Sequence, residues 1–271
     1  MIARLARLVA SESRKALHHR LLRGTAAATV VAALAAALLV LLFAGEGAAS
    51  GVTGFLLVAR AARTAATLAA ITALLLGCQT IAREASEGTL VLTFVRPVRR
   101  SEVVLAKAMV TALAAIVVFA AAVGLAAAVA APLRGFGPIE SEGYVILEAR
   151  EIFGTLAASL ALTLPALVAT AAFGLLVSSV ATSGTAAVAI GLLSFVPMEL
   201  ARRLFAGHDA AAFVFSTYST LFVDYAEERA RGFAVAMEPA AAALGVLVPL
   251  ASAAVFLAVA ALVTSRREIR F

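Results

Sequence analysis

The residues able to do chemistry are few, and their spacing limits what they can do. Cys78 is the only cysteine, so neither an internal disulfide nor a cysteine metal cluster is available. His18 and His19 are adjacent, and neighbouring helical positions point in different directions, which argues against a shared metal ion. Met1, Met109, Met198 and Met237 are scattered rather than set out as soft ligands along a path. No nucleophile–base pair emerges, so the sequence predicts no catalytic residue and no metal site. No G-x-x-x-x-G-K-[ST] phosphate loop occurs either, so hydrolysis of a nucleotide would have to come from another chain.

Polar chemistry is concentrated in one stretch, Arg83-Glu84-Ala85-Ser86-Glu87-Gly88-Thr89-Leu90 followed by VLTFVRPVRRSEVVLAK, ending at Lys107. Gly88 permits a backbone reversal and Thr89 is an expected N-cap. Leu90, Leu92, Phe94 and Val95 give a short apolar helical face, which Pro97 ends because the residue before a proline leaves the helical region. Arg99 and Arg100 form a basic cluster, and Ser101-Glu102 opens the next helix with a cap and an acid. A plain connector needs only a few polar residues. A turn, a short helix, a stop and a basic cluster make a docking surface.

The elements that must carry this stretch are membrane spans. Of 271 residues 63% are hydrophobic and 14% charged, with mean hydropathy +1.04. Soluble domains average about 45–50% apolar, so a soluble enzyme, a disordered chain and a disulfide scaffold are excluded. A bilayer core of about 30 Å takes roughly 20 helical residues. Six stretches qualify: 24–44, 64–82, 103–130, 154–177, 184–200 and 239–264. The first follows 23 residues and has too long an apolar core for a signal peptide, so it reads as a retained span. Residues 1–23 read as an amphipathic connecting helix in the membrane interface. Residues 83–102 form the loop just described, 201–238 an external segment, and 265–271 a tail.

Orientation follows the basic residues. With both termini cytoplasmic, 14 of 22 basic and 5 of 16 acidic residues lie inside, a net +9, leaving −3 outside. This explains the overall charge of +6 better than nucleic-acid binding, which is not expected. Only Lys15 and Lys107 are lysines, a bias that fits a GC-rich genome.

In the external segment Phe213, Phe215, Tyr218, Phe222 and Tyr225 suggest an interfacial or partly re-entrant helix, with an external gate, a partner contact and plain packing all open as its role. Arg60 and Arg63 read as headgroup anchors and Cys78 as an apolar filler. Glu199 reads as a local ion pair with Arg202 and Arg203, and Ser178–Thr185 as a tight turn or a secondary partner contact.

The series Glu84, Glu87-Gly88-Thr89-Leu90, Pro97, Arg99, Arg100, Lys107 resembles the first cytoplasmic loop of ABC-2 type transporter permeases, of the form E…E-G-T-L…P…R…K after the second of six spans. Ala106 stands where that family usually has glycine. Residues 1–20 resemble its interfacial connecting helix, and the layout is similar to the Nos copper-processing permease and to drug and lipid exporter permeases. The resemblance implies an all-α integral membrane protein of the ABC-2 (type V exporter-like) fold, multi-pass in a bacterial plasma membrane. It implies that the loop carries a coupling helix seated in a separate cytoplasmic ABC ATPase. ATP and Mg would be used by that partner, with no cofactor in this chain. A second copy would complete a homodimer among membrane lipids, with room for an external accessory protein. The implied activity is ATP-driven export of a hydrophobic or amphipathic substrate by alternating access. The alternative is a membrane scaffold that passes ATPase movement to an external partner without moving a solute. A secondary transporter is disfavoured by the near absence of mid-span charge.

Overall fold

The structure, a computed structural model, describes residues 2–43, 53–89, 100–141, 144–204, 212–233, 235 and 237–266, with the backbone alone at 2–5, 43, 141, 201 and 203. Helix α1 (Ile2–His18) is followed after His19 by α2 (Arg20–Phe43). Then come α3 (Gly54–Thr80), the short α4 (Ala82–Ser86), α5 (Arg100–Arg134), strands β1 (Ile139–Ser141) and β2 (Tyr144–Leu147), α6 (Ala149–Val180), α7 (Gly184–Leu204), a 3-10 turn (Phe215–Ser219), α8 (Leu221–Ala230) and α9 (Pro239–Arg266).

Among the described residues, five helical stretches are long and apolar enough to cross a membrane: Arg20–Leu42, Gly54–Ser86, Arg100–Arg134, Ala149–Val180 and Pro239–Arg266. Gly184–Leu200 is apolar but shorter; its 17 residues reach only about 25 Å at about 1.5 Å each. The protein is therefore an all-α membrane protein with one small addition, the antiparallel β1–β2 hairpin. The apolar run Tyr144-Val145-Ile146-Leu147, held between Glu140 and Glu148, has the β-branched composition that favours a strand.

Helix α3 is the central pillar, packed by α2, α5 and α6. Its face is paved with fully buried alanines, among them Ala62, Ala65, Ala66, Ala69 and Ala73. In lipid the hydrophobic effect does not press helices together, so close packing of small residues must do so. Gly77 and Gly174 show how close the approach is. A Cβ on Gly77 would lie 2.8 Å from the Ala171 carbonyl oxygen, and one on Gly174 2.6 Å from that of Leu74. At the edge of the bundle, α2 exposes Val31, Leu39 and Leu42, and α9 exposes Leu247 and Val255, as suits contact with lipid tails.

The helix holding the expected 64–82 span begins at Gly54, capped by the Thr53 hydroxyl, which accepts from the Leu56 N–H. Arg60 and Arg63 are consequently part of α3. At the other end the helix breaks at Ile81, and the backbone N–H groups of Ile81 and Ala82 donate to the Ser178 hydroxyl at 3.0 and 2.8 Å. Ser178 belongs to the last turn of α6, so it ties the α3–α4 break to a neighbouring helix rather than forming part of a turn.

Candidate functional site

Past the break at Ile81 the Glu84 side chain of α4 reaches α1 and α5, and four charges meet there. Lys107, in the second turn of α5, places its ammonium 2.8 Å from Glu12 Oε2 and 2.9 Å from Glu84 Oε1. Lys15 closes the ring, 2.7 Å from Glu12 Oε1 and 3.0 Å from Glu84 Oε1. The Lys107 side chain is 1% exposed, Glu12 11% and Glu84 16%, whereas Lys15 is 54% exposed. Helices α1, α4 and α5 are thereby joined by alternating signs, each carboxylate touching both ammonium groups.

Two compact, rotatable ammonium groups suit this geometry better than planar guanidinium forks. Both lysines of the chain are in this ring, in a sequence that otherwise uses arginine. Burial alone would raise the Glu12 pKa, but Lys107 and then Lys15 outweigh it and hold the carboxyl below its ordinary value. Burial would lower Lys15, and Glu12 and Glu84 together raise it instead. Glu12 and Lys15 are therefore both charged at neutral pH.

A second layer surrounds it. Arg83 is 2.7 Å from Glu87, both side chains being about half exposed, and its guanidinium donates to His19 Nε2. Partial burial, and then the Arg83 charge, depress the His19 pKa, so its ring is neutral at pH 7. Gly88 has φ +72°, the left-handed conformation that glycine adopts without strain. The Thr89 hydroxyl donates 3.4 Å back to the Glu84 carbonyl. It therefore ties Thr89 back onto α4, while the residues it was expected to cap lie outside the described ones. Arg100, in the first turn of α5, donates to the carbonyls of Thr264 and Ser265 at 3.1 and 2.9 Å. It thus satisfies acceptors left free at the C-terminal end of α9 and complements the helix dipole. Leu90, Pro97 and Arg99 lie outside the described residues.

Of the expected loop residues, the structure brings Glu84 and Lys107 into direct contact and places Glu87, Gly88 and Thr89 beside them. Glu12 and Lys15 were missed as members. A signal was available: Glu12 is the sole acid among residues 1–23.

At the far end of α3 a second polar cluster holds α8. Glu227, 2% exposed, lies 2.8 Å from Arg60 and 2.5 Å from Arg231. Asp224 is 2.9 Å from Arg63. Arg60 and Arg63 thus clamp α8 instead of facing headgroups alone. Burial, exceeding the effect of Arg63, raises the Asp224 pKa. Arg202 pairs with Glu199 and donates to the Thr220 hydroxyl at 2.7 Å. Among the gate candidates, Phe215 packs with Phe173 and Phe256, and Tyr218 stacks on Phe222 with ring centres 6.0 Å apart. Tyr225 donates to the Val235 carbonyl at 2.6 Å, and Phe213 is 78% exposed. Three of the five are therefore buried against α6 and α9, while Phe213 and Tyr225 are not part of that cluster.

The family model described as ABC-2 family transporter protein matches residues 57–269, from within α3 to beyond the end of α9. This chain belongs to the ABC-2 transporter family. It is accordingly a multi-pass membrane permease component, a transport part that associates with an ABC ATPase. No curated protein matches the chain. In this ABC-2 permease the match includes both Glu84 and Lys107 but begins beyond Glu12 and Lys15. The α1 half of the ring is thus a feature of this structure that lies outside the family match.

Proposed function

We propose that this permease has six spans with both termini cytoplasmic, and that a separate ABC ATPase drives it through the loop between α3 and α5. Closure of two ATPase subunits pushes on that loop, and the helices rock between inward- and outward-facing packings as rigid bodies. A second copy completes the pathway, and the cargo leaving the cytoplasmic side is hydrophobic or amphipathic. ATP and Mg are used in the ATPase. The phenyl and phenol rings of Phe213, Phe215, Tyr218, Phe222 and Tyr225 form the external gate.

One observation carries the reading: the loop is clamped at its base by Lys107–Glu84 and tied to α1 by Lys107–Glu12. A push on the loop therefore reaches two helices at once instead of being absorbed in a slack connector. Near-absent mid-span charge supports an apolar or amphipathic cargo. The test is co-purification with a co-expressed candidate ABC ATPase. Replacing Glu87, Gly88 and Thr89 together by alanine should abolish co-elution or the stimulation of ATP hydrolysis. Unchanged assembly and unchanged stimulation would remove the loop from the coupling route.

A further inference from the structure

Beside the charged ring the structure holds a cavity of about 770 Å³, walled by the second half of α1, the first residue of α2, the lower part of α3, α4 and the first half of α5. Its size falls in the range of small-ligand sites, about 300–1,000 Å³. The lining mixes two kinds of residue. Charged Glu84, Lys107 and Arg20 share it with apolar Leu76, Val110 and Ala114. Leu76 precedes Glu84 by eight residues on nearly continuous helix, so the lining spans about 12 Å along α3 and α4 at about 1.5 Å per residue. The apolar lining adjoins a packed cluster of Leu22, Leu76 and Val118.

Two polar groups in this wall are unused. Arg20 makes no hydrogen bond or ion pair with any described residue, and it stands at the first position of α2, at the mouth of a membrane span. Glu84 Oε2 is buried and has no hydrogen-bond partner among the described residues, because Lys15 and Lys107 both take the other oxygen. A cation without an anion and a carboxylate oxygen without a donor, above an apolar floor, are complementary to one class of molecule. The geometry points to a site for a phospholipid of the leaflet at the α1 end, with a headgroup that carries both a phosphodiester and a hydrogen-bond donor.

The phosphodiester pairs with the Arg20 guanidinium, whose fork matches phosphate oxygens. The headgroup ammonium or hydroxyl donates to Glu84 Oε2, and the first acyl carbons lie along Leu76, Val110 and Ala114. Lys107, 1% exposed and 2.9 Å from Glu84 Oε1, holds that carboxylate in place. The lipid is a resident wedge between α1 and α3 and does not depend on the transport reading.

Native mass spectrometry of the full permease released from detergent tests this without ATP or the ATPase. The probes are dioleoyl-phosphatidylethanolamine, dioleoyl-phosphatidylcholine, dioleoylglycerol and soluble glycerophosphoethanolamine. The expected result is retention of phosphatidylethanolamine at roughly fivefold or more over phosphatidylcholine and dioleoylglycerol. Arg20→Gln should reduce that retention by a similar factor, and Ala114→Phe, which adds bulk to the apolar lining, should do the same. Arg20 is exposed, so Arg20→Gln remains decisive if the filled variant does not fold. Equal retention by wild type and Arg20→Gln, equal retention of dioleoylglycerol, or displacement of the lipid by an equal concentration of glycerophosphoethanolamine would each overturn the site as stated.

Discussion

Lys107 Nζ lies 2.9 Å from Glu84 Oε1, so the last basic residue of the loop is clamped to its first acidic helix residue. The pair is buried on the lysine side, and Glu12 shares the same ammonium. A buried ion pair is weak evidence for net stability, because desolvation offsets much of the attraction. Its value here is in fixing which elements move together.

Removing one member should cost far more than removing all. Lys107→Met leaves Glu12 and Glu84 facing each other without a buried counter-charge and should destabilise the permease by about 3–5 kcal/mol. Combining it with Glu12→Gln and Glu84→Gln should recover most of that loss in thermal unfolding in detergent. A single variant as stable as wild type would show that the ring is not closed in solution.

The attachment of α1 should weaken in acid. Glu12 has a depressed folded pKa, so its contribution is present above its unfolded value and is lost as pH falls through the folded one. His19 is also depressed; its folded form prefers the neutral ring, so stability falls as pH drops below about 6.5. Lys15 is raised, so its contribution holds below its unfolded value and is lost as pH rises through the folded one. Hydrogen exchange in α1, corrected for intrinsic rates, should show protection steady from about pH 7 to 9, falling below about pH 6.5 and again below about pH 4.5. Glu12→Gln should remove the limb below about pH 4.5. Protection that stays flat to about pH 3.5 would contradict the assignment.

The two ion-pair settings should differ in cost. Glu227→Ala strips Arg60 and Arg231 of a carboxylate that is 2% exposed and should cost about 3 kcal/mol or more. Glu87→Ala breaks a half-exposed pair with Arg83 and should cost about 0–1 kcal/mol. Parallel melting curves check the contrast. Equal costs would mean that the α8 clamp is as solvated as the loop pair.

Close packing gives a steric prediction. A Cβ on Gly245 would lie 2.2 Å from Phe222 Cζ, and Phe222 is itself 2% exposed. Gly245→Ala should therefore displace the Phe222 ring, at about 1–3 kcal/mol, and loosen the 3-10 turn and α8 from α9. Proteolysis after residue 212 should become faster. An unchanged digestion pattern would mean that the ring has room to swing.

Much of the membrane character was legible because it depends on composition and length, which read directly from residues. The positions where the reading fell short depend on contacts between distant segments. Arg60 and Arg63 look like interfacial anchors until α8 brings Glu227 and Asp224 to them. Ser178 looks like part of a polar turn until the α3 break supplies two N–H donors. Glu84 and Lys107 were singled out by the resemblance of the loop, and their mutual contact arises only once the fold brings α4 and α5 together. Glu12 and Lys15 were hidden in a segment whose basic residues already had an explanation in topology. The scarcity of lysine, read as a genomic bias, coincided with a geometric demand at one site.

The central claim is that force on the loop reaches the bundle through the ring, and the most direct measurement is ATP hydrolysis by the partner ATPase reconstituted with permease in liposomes. The variant to use is Glu12→Gln, Glu84→Gln, Lys107→Met combined, because it keeps the fold while removing the charges that join α1, α4 and α5. The account predicts normal assembly with stimulation of hydrolysis reduced roughly tenfold, about 1.4 kcal/mol in activation free energy. Stimulation at the wild-type level in that folded, assembled variant would contradict it.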